Sequence, residues 1–327
     1  MDTLTQNGID WIITVQALGA WLQTPMEFFS FLGTENFFLL VLPLLYWSVD
    51  ARLGLQIGFI LITSNYFNGI LKLLFADPRP YWVSDQVIPL AAESTFGVPS
   101  GHAQNAVSVW GIIAASYRRS WVWVAAFALM LLIGFSRWYM GVHDFQDVIV
   151  GWLIGAILLW AFVRFWDPME VWLRQKTLGT QVLLAFIVSL LFIVLGVFIF
   201  SSLDGYSFPE EWRDNALRAS DELPAPVSME GILTSAGTFF GLAAGAAWIA
   251  SRGGYQAEGP LAKRALRFIM GLIGILILWR GLGLVFPDNN DVISYALRYL
   301  RYSLVGFWVS AGAPWLFFRF KLANSQM

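Results

Sequence analysis

Residues 181–200 read Gln181-Val-Leu-Leu-Ala-Phe-Ile-Val-Ser-Leu-Leu-Phe-Ile-Val-Leu-Gly-Val-Phe-Ile-Phe200, a run without a charged side chain. As a helix it extends about 30 Å, the thickness of a bilayer's hydrocarbon core. Similar apolar runs lie at 36–49, 54–73, 102–117, 121–137, 147–165, 231–250, 266–286 and 292–318. The 327-residue chain is 57% hydrophobic and 13% charged, against about 45–50% and about 25% in soluble domains. Its seventeen Trp and twenty-seven Phe suit interfacial belts and lipid-facing walls. The expected fold is all-α: a polytopic transmembrane helical bundle of about nine spans, the first kinked at Pro43. This balance excludes a disordered chain and a nucleic-acid binder, and a net charge of −2 offers no field to gather polyanions.

Basic residues orient the bundle. Arg118–Arg119, Arg164 to Lys176, Arg252 to Arg267, and Arg319 with Lys321 mark one side. Alternate connections are acidic, with Asp204, Glu210, Glu211, Asp214, Asp221 and Glu222 in one, and Asp288 and Asp291 in another. The alternation predicts the N-terminus outside and the C-terminus in the cytoplasm. Nothing basic precedes Arg52, so no signal-peptide n-region is expected. Ile9, Trp11, Ile12, Val15, Leu18, Trp21 and Leu22 recur at near-helical spacing. They predict an amphipathic interfacial helix over 9–23, the alternative being a helix packed inside the bundle. Gly151 and Gly155, and Gly237, Gly241 and Gly245, form small-residue stripes that let helices approach closely.

Three segments carry titratable groups that a membrane protein does not place near lipid without reason. In Lys72-Leu-Leu-Phe-Ala-Asp-Pro-Arg79-Pro80 the apolar run stops at Lys72, and the prolines hold Arg79 in an extended turn. Two cations there suit a phosphate, Arg79 offering a bidentate fork; simple snorkelling at a helix end is the alternative. Val98-Pro99-Ser100-Gly101-His102 opens a helix: Ser100 can cap it, Gly101 permits close backbone approach, and the first-turn amides suit an anion. Ser136-Arg137-Trp-Tyr-Met-Gly-Val-His143-Asp-Phe-Gln-Asp147 places a carboxylate four residues after a histidine. Asp147 can take the His143 Nδ1 proton and leave Nε2 free to attack. Both histidines of the chain fall in these segments, on one face with Lys72, Arg79 and Arg137. Without Cys, and with cations outnumbering acids, a metal site is poorly supported, and Ser100 lacks a G-x-S-x-G elbow. Cations, amides and two imidazoles describe metal-free phosphoryl transfer.

Lys72-x6-Arg79-Pro80, Pro99-Ser100-Gly101-His102 and Ser136-Arg137-x5-His143-x3-Asp147 resemble, in order and spacing, the three signature motifs of the type 2 phosphatidic acid phosphatases. The resemblance implies a phosphatase core over 36–165, between an N-terminal interfacial segment at 1–35 and a C-terminal transmembrane extension at 166–327. It implies that His143 attacks phosphorus, Asp147 orients it, and His102 protonates the leaving oxygen and then activates water. Lys72, Arg79 and Arg137, with Ser100 and the Gly101 amide, would hold the phosphoryl oxygens, with no metal and no cofactor.

The expected substrate and partner is a lipid phosphate entering from the bilayer past Trp82, Trp138 and Tyr139. The string Lys72 to Trp82 is also similar to glucose-6-phosphatases, which makes a soluble sugar phosphate the alternative. Lipid phosphotransfer and lipid transport are the further ones. The expected location is a bacterial inner membrane with the site facing outward. Arg280, Arg298 and Arg301 fall in the last two runs. Intramembrane arginine marks a functional site by default, so Arg298 and Arg301 are candidate substrate contacts, with pairing to Glu230 as the alternative.

Overall fold

The computed structural model describes residues 3–287 and 289–323; Asp288, counted above among the outer acids, lies outside them. Among the described residues every regular element is helical. The chain begins with α1 (Thr3–Gln16), a 3₁₀ turn (Ala20–Leu22), α2 (Gln23–Phe31), α3 (Glu35–Ser48), α4 (Ala51–Phe75) and the one-turn α5 (Pro80–Val83). A long loop leads to α6 (Gly101–Tyr117), α7 (Ser120–Tyr139), α8 (Phe145–Arg174) and α9 (Leu178–Ser201). The rest comprises α10 (Arg213–Ala216), α11 (Glu230–Ala250), α12 (Leu261–Leu276), α13 (Leu282–Val285), α14 (Val292–Phe307) and α15 (Ala313–Arg319). Turns of π-helix, Ile277–Gly281 and Trp308–Gly312, join α12 to α13 and α14 to α15.

Six stretches are long and apolar enough to cross a membrane: Ala51–Val83, Ser120–Tyr139, Phe145–Arg174, Leu178–Ser201, Glu230–Ala250 and Leu261–Val285. The pair Ala20–Phe31 and Glu35–Ser48, bent by 48°, makes a seventh if taken as one span. All nine expected runs are helical, yet three fall short as single spans for identifiable reasons. The first, in α3, has 14 residues. α6 has 17 residues, about 26 Å, and carries Gln104, Asn105 and Ser108. α14 carries Arg298 and Arg301.

The chain divides into two compact units, 1–37 with 67–161 and 197–228, and 38–66 with 162–196 and 229–327. Four of the divisions fall inside helices, in α3, α4, α8 and α9. Residues 1–35 belong to the first unit. The helix expected over 9–23 is also broken: α1 ends at Gln16, and Gly19, at φ 108°, reverses the chain in a conformation that glycine tolerates best. Ile9, Ile12 and Val15 are buried, and Val15 packs in a cluster with Met26, Trp138 and Tyr139. Leu18 and Trp21, past the end of α1, are exposed.

Within the first unit the 151/155 glycine stripe sets α8 against α6. A Cβ on Gly151 would lie 2.6 Å from Ser100 O, and one on Gly155 would lie 2.6 Å from Gln104 O. Within the second unit the 237/241/245 stripe does the same for α11 and α14, where a Cβ on Gly241 would lie 1.9 Å from Ser303 O. A π-turn loosens the regular backbone ladder. At 308–312 Tyr46 and Trp47 supply donors from α3, to Ser310 O and Val309 O, both at 2.9 Å.

Candidate active site

All three motifs lie in the first unit. α8 opens with a reciprocal cap: Asp144 Oδ1 accepts from the Asp147 amide at 2.9 Å, and Asp147 Oδ2 accepts from the Asp144 amide at 3.1 Å. The same Oδ2 lies 2.8 Å from His143 Nδ1. His143 itself precedes the helix, so the cap rather than a helical turn brings the two side chains together. On its other edge, His143 Nε2 lies 3.2 Å from an Arg79 guanidinium nitrogen. Guanidinium can only donate, so Nε2 presents its lone pair and Nδ1 carries the proton that is donated to Asp147. Both residues are buried. Burial first, then the charges of Arg79, Lys72 and Arg137, hold the His143 pKa well below the ordinary 6.5, which leaves the ring neutral.

The cations come from three helix ends. Lys72, in the last turn of α4, donates to Phe96 O at 2.5 Å and to Thr95 Oγ1 at 3.0 Å. Arg79 is extended at φ −78° and ψ 149°, with Pro80 starting α5 behind it. It donates from Nε to Thr95 O at 2.6 Å and from its terminal nitrogens to Val142 O at 3.0 Å and Thr95 Oγ1 at 3.1 Å. Arg137, in the last turn of α7, donates to Ser30 Oγ at 2.5 Å.

Between the two arginines sits Glu93. One carboxylate oxygen accepts from Arg137 and the other lies 3.6 Å from Arg79. Burial pushes the Glu93 carboxyl up, but Arg79 and Arg137, aided by His102 and Lys72, outweigh it and hold the group well below the usual carboxylate range. Sequence reading missed Glu93, Thr95 and Ser30. An acid between two cation-bearing motifs was the available signal for Glu93; nothing local marks Ser30, which reaches Arg137 across 107 residues.

Ser100 caps α6 by accepting from the Ala103 amide at 3.5 Å, and its own amide donates to Asp147 O at 2.9 Å. That bond ties the second motif to the third. At Gly101 a Cβ would come within 3.1 Å of Asn68 Oδ1, and Asn68 donates to Pro99 O and Gln104 Oε1, each at 3.1 Å. His102 packs its ring on Gly33, where a Cβ would approach within 2.7 Å. Its Nε2 is buried with no hydrogen-bond partner among the described residues.

The structure thus gathers Lys72, Arg79, Arg137, His143 and Asp147 through shared partners and sets Ser100 against Asp147. Other expected contacts differ. Trp82 is fully buried, its ring edge-on to Phe96 and Phe208, which makes it a core residue of the loop and not a wall open to substrate. Trp138 is likewise buried, stacked on Phe145, with its indole N–H donated to Asp144 O at 2.9 Å. Arg298 and Arg301 belong to the second unit. There Arg298 pairs with Glu230 at 2.8 Å, and Arg301 lies over the Tyr302 ring.

Two family models match the chain: the PAP2 superfamily over residues 53–169, and the PAP2 superfamily phosphatase transmembrane extension over residues 233–325. Phosphatidylglycerophosphatase B of Bacillus subtilis is 30% identical over 169 residues, covering 48% of this chain and 80% of that protein. A dihydrosphingosine 1-phosphate phosphatase of Schizosaccharomyces pombe is 32% identical over 174 residues, covering 48% of this chain and 41% of that one. The solved structure of a transmembrane PAP2-type phosphatidylglycerolphosphate phosphatase from Bacillus subtilis aligns with a TM-score of 0.43 at 27% identity, covering 51% of this chain and 88% of that one. The chain belongs to the PAP2 superfamily.

Proposed function

We propose that the chain is an integral-membrane phosphatase that hydrolyses the phosphomonoester, or pyrophosphate, of a membrane lipid through a phosphohistidine. The observation that carries this reading is the series Arg79–His143–Asp147, which fixes one tautomer and points the His143 Nε2 lone pair at a cluster of cations. Nε2 attacks phosphorus, an N–P bond forms, and the ester P–O bond breaks. His102, in its protonated form, gives a proton to the departing oxygen and becomes neutral, then takes one from the water that cleaves the N–P bond and releases phosphate. Lys72, Arg79 and Arg137 face the three oxygens over which charge spreads, and the Ser100–Gly101 turn adds amides at the start of α6. The scheme uses no metal or cofactor. The names of the two relatives, a phosphatidylglycerophosphatase and a sphingoid-phosphate phosphatase, favour a lipid substrate.

The same proposal takes nine spans: the six long helices, the bent α2–α3 pair, α6, and α14 continued through its π-turn into α15. Basic clusters at Arg118–Arg119, Arg252–Arg264 and Arg319–Lys321 favour a cytoplasmic C-terminus, an external N-terminus and a site on the outer face of a bacterial inner membrane. The test is phosphate release by purified protein and by His143→Ala, with EDTA present. Phosphatidate, phosphatidylglycerol phosphate, undecaprenyl pyrophosphate, sphingosine phosphate and glucose 6-phosphate form the panel. Release from a lipid that requires His143 and survives EDTA is expected; preference for glucose 6-phosphate, or no release from folded protein, overturns the reading.

A further inference from the structure

Glu93 stands where a phosphate's oxygens would be expected, bridging Arg79 and Arg137, and it is the one acid paired with either arginine among the described residues. The other acceptors of the two guanidiniums are the carbonyls and hydroxyls of Thr95, Val142 and Ser30 and, for Arg79, the Nε2 lone pair of His143. The Glu93 backbone is fixed as well. Its amide donates to the Tyr81 hydroxyl, which donates in turn to Glu93 O, each at 3.2 Å. The carboxylate differs from its partners in exposure, at 26% for its side chain against 0% for Arg79 and 2% for Arg137. Of the three side chains, Glu93 is the one with a face open beyond the pair of arginines.

Charge decides what can replace it. Arg79 and Arg137 share the single negative charge of Glu93. A phosphomonoester carries about −1.5 to −2 near neutral pH and brings the two arginines more charge than the carboxylate does, whereas a phosphodiester carries one negative charge and does no better than the carboxylate it displaces. The carboxylate also competes intramolecularly, at an effective concentration of order millimolar or more.

We infer that Glu93 is a specificity-determining residue, an internal monoanion that keeps phosphodiester headgroups off Arg79 and Arg137 and yields to a phosphomonoester. A site embedded among phosphodiester lipids is thereby kept from filling with its own solvent. The inference rests on the phosphomonoesterase reading above, and binding separates the two.

Inorganic phosphate and dimethyl phosphate, a soluble dianion and a soluble diester, are titrated calorimetrically against wild type, Glu93→Gln and Glu93→Asp. Wild type is expected to prefer phosphate by at least about 100-fold, a gap of roughly 2.7 kcal/mol. Glu93→Gln is expected to narrow that gap by about tenfold or more, chiefly because dimethyl phosphate binds more tightly than to wild type. Glu93→Asp, a shorter arm, is expected to narrow it less. Turnover of phosphatidate by Glu93→Gln should acquire inhibition by phosphatidylglycerol that wild type lacks. An unchanged gap in Glu93→Gln, or weaker dimethyl phosphate binding, overturns the inference; should that variant not fold, an unchanged gap in Glu93→Asp does the same. Absence of any phosphomonoester hydrolysis by wild type counts against the function, while the binding ratio still decides the role of Glu93.

Discussion

Each compact unit buries arginine completely, and the two units satisfy it differently. In the second unit Arg267 donates to Gln256 O, Ala257 O, Glu258 O and the Tyr255 hydroxyl at 2.7–3.2 Å. None of these acceptors is an anion, and all belong to the segment that the arginine braces. In the first unit Arg79 and Arg137 also hold carbonyls and hydroxyls, but both face the shared carboxylate of Glu93: Arg137 donates to it, and the Arg79 nitrogen that donates to Thr95 Oγ1 lies 3.6 Å from it. Burying a charge requires compensation in either case. A carbonyl fixed in the chain cannot be exchanged for a ligand, whereas a carboxylate on a rotatable side chain can. The kind of compensation, more than the burial, distinguishes a strut from a binding site.

The largest effect belongs to the nucleophile. His143→Ala is expected to abolish single-turnover phosphate release, by about 10⁴-fold or more. Asp147→Asn, which no longer selects the Nδ1–H tautomer, is expected to lower it by about 10²–10⁴-fold with the fold intact by circular dichroism. Next come the arginines. Arg79→Lys and Arg137→Lys lose the planar fork and are expected to lower kcat/KM about 10²-fold with little change in Tm. Arg267→Lys should do the reverse, lowering Tm while kcat/KM per folded molecule stays within about twofold. Lost turnover at full Tm in the Arg267 variant would break the comparison.

A pH titration sharpens it further. The folded His143 resists a proton that the unfolded chain accepts below about 6.5, so its contribution to stability is complete above that pH and is lost as pH falls toward the depressed value. Glu93 has the same sign in a lower window, opening near its ordinary 4.5. With two histidines in the chain, imidazole nitrogen NMR resolves both, and His102→Asn assigns them. His143 should stay neutral well below pH 6.5 and titrate higher in Arg79→Met; an ordinary titration in wild type would contradict the electrostatics. The smallest effect is expected at Arg298→Ala, with KM within about twofold and a lowered Tm, because its guanidinium is engaged by Glu230. A large rise in KM would instead bring the second unit into substrate binding.

The sequence announces the helices because lipid imposes one simple rule, an unbroken apolar run, and α9 obeys it from end to end. Of the three runs that fall short as single spans, α3 is short, and α6 and α14 are those where Gln104, Asn105, Arg298 and Arg301 interrupt that rule. The site residues were legible where chemistry and spacing are local: His143 with Asp147, Ser100 with Gly101 and His102, Lys72 with Arg79. Contacts made across the fold left no such trace. Ser30 looks like any helical serine until α2 is set against α7, and Glu93 looks like a loop acid until two arginines close on it. Trp82 misled for the complementary reason: an aromatic beside a motif reads as a wall, yet Phe96 and Phe208 enclose it.

The most direct test of the central claim is to trap the covalent intermediate. Protein is mixed briefly with phosphatidate labelled in its phosphate, quenched in alkali, and mapped by peptide. The account predicts a label that survives base, is lost in acid, lies on the peptide containing His143, and is absent from His143→Ala. Label on a different residue, or phosphate release by His143→Ala at the wild-type rate, would contradict it.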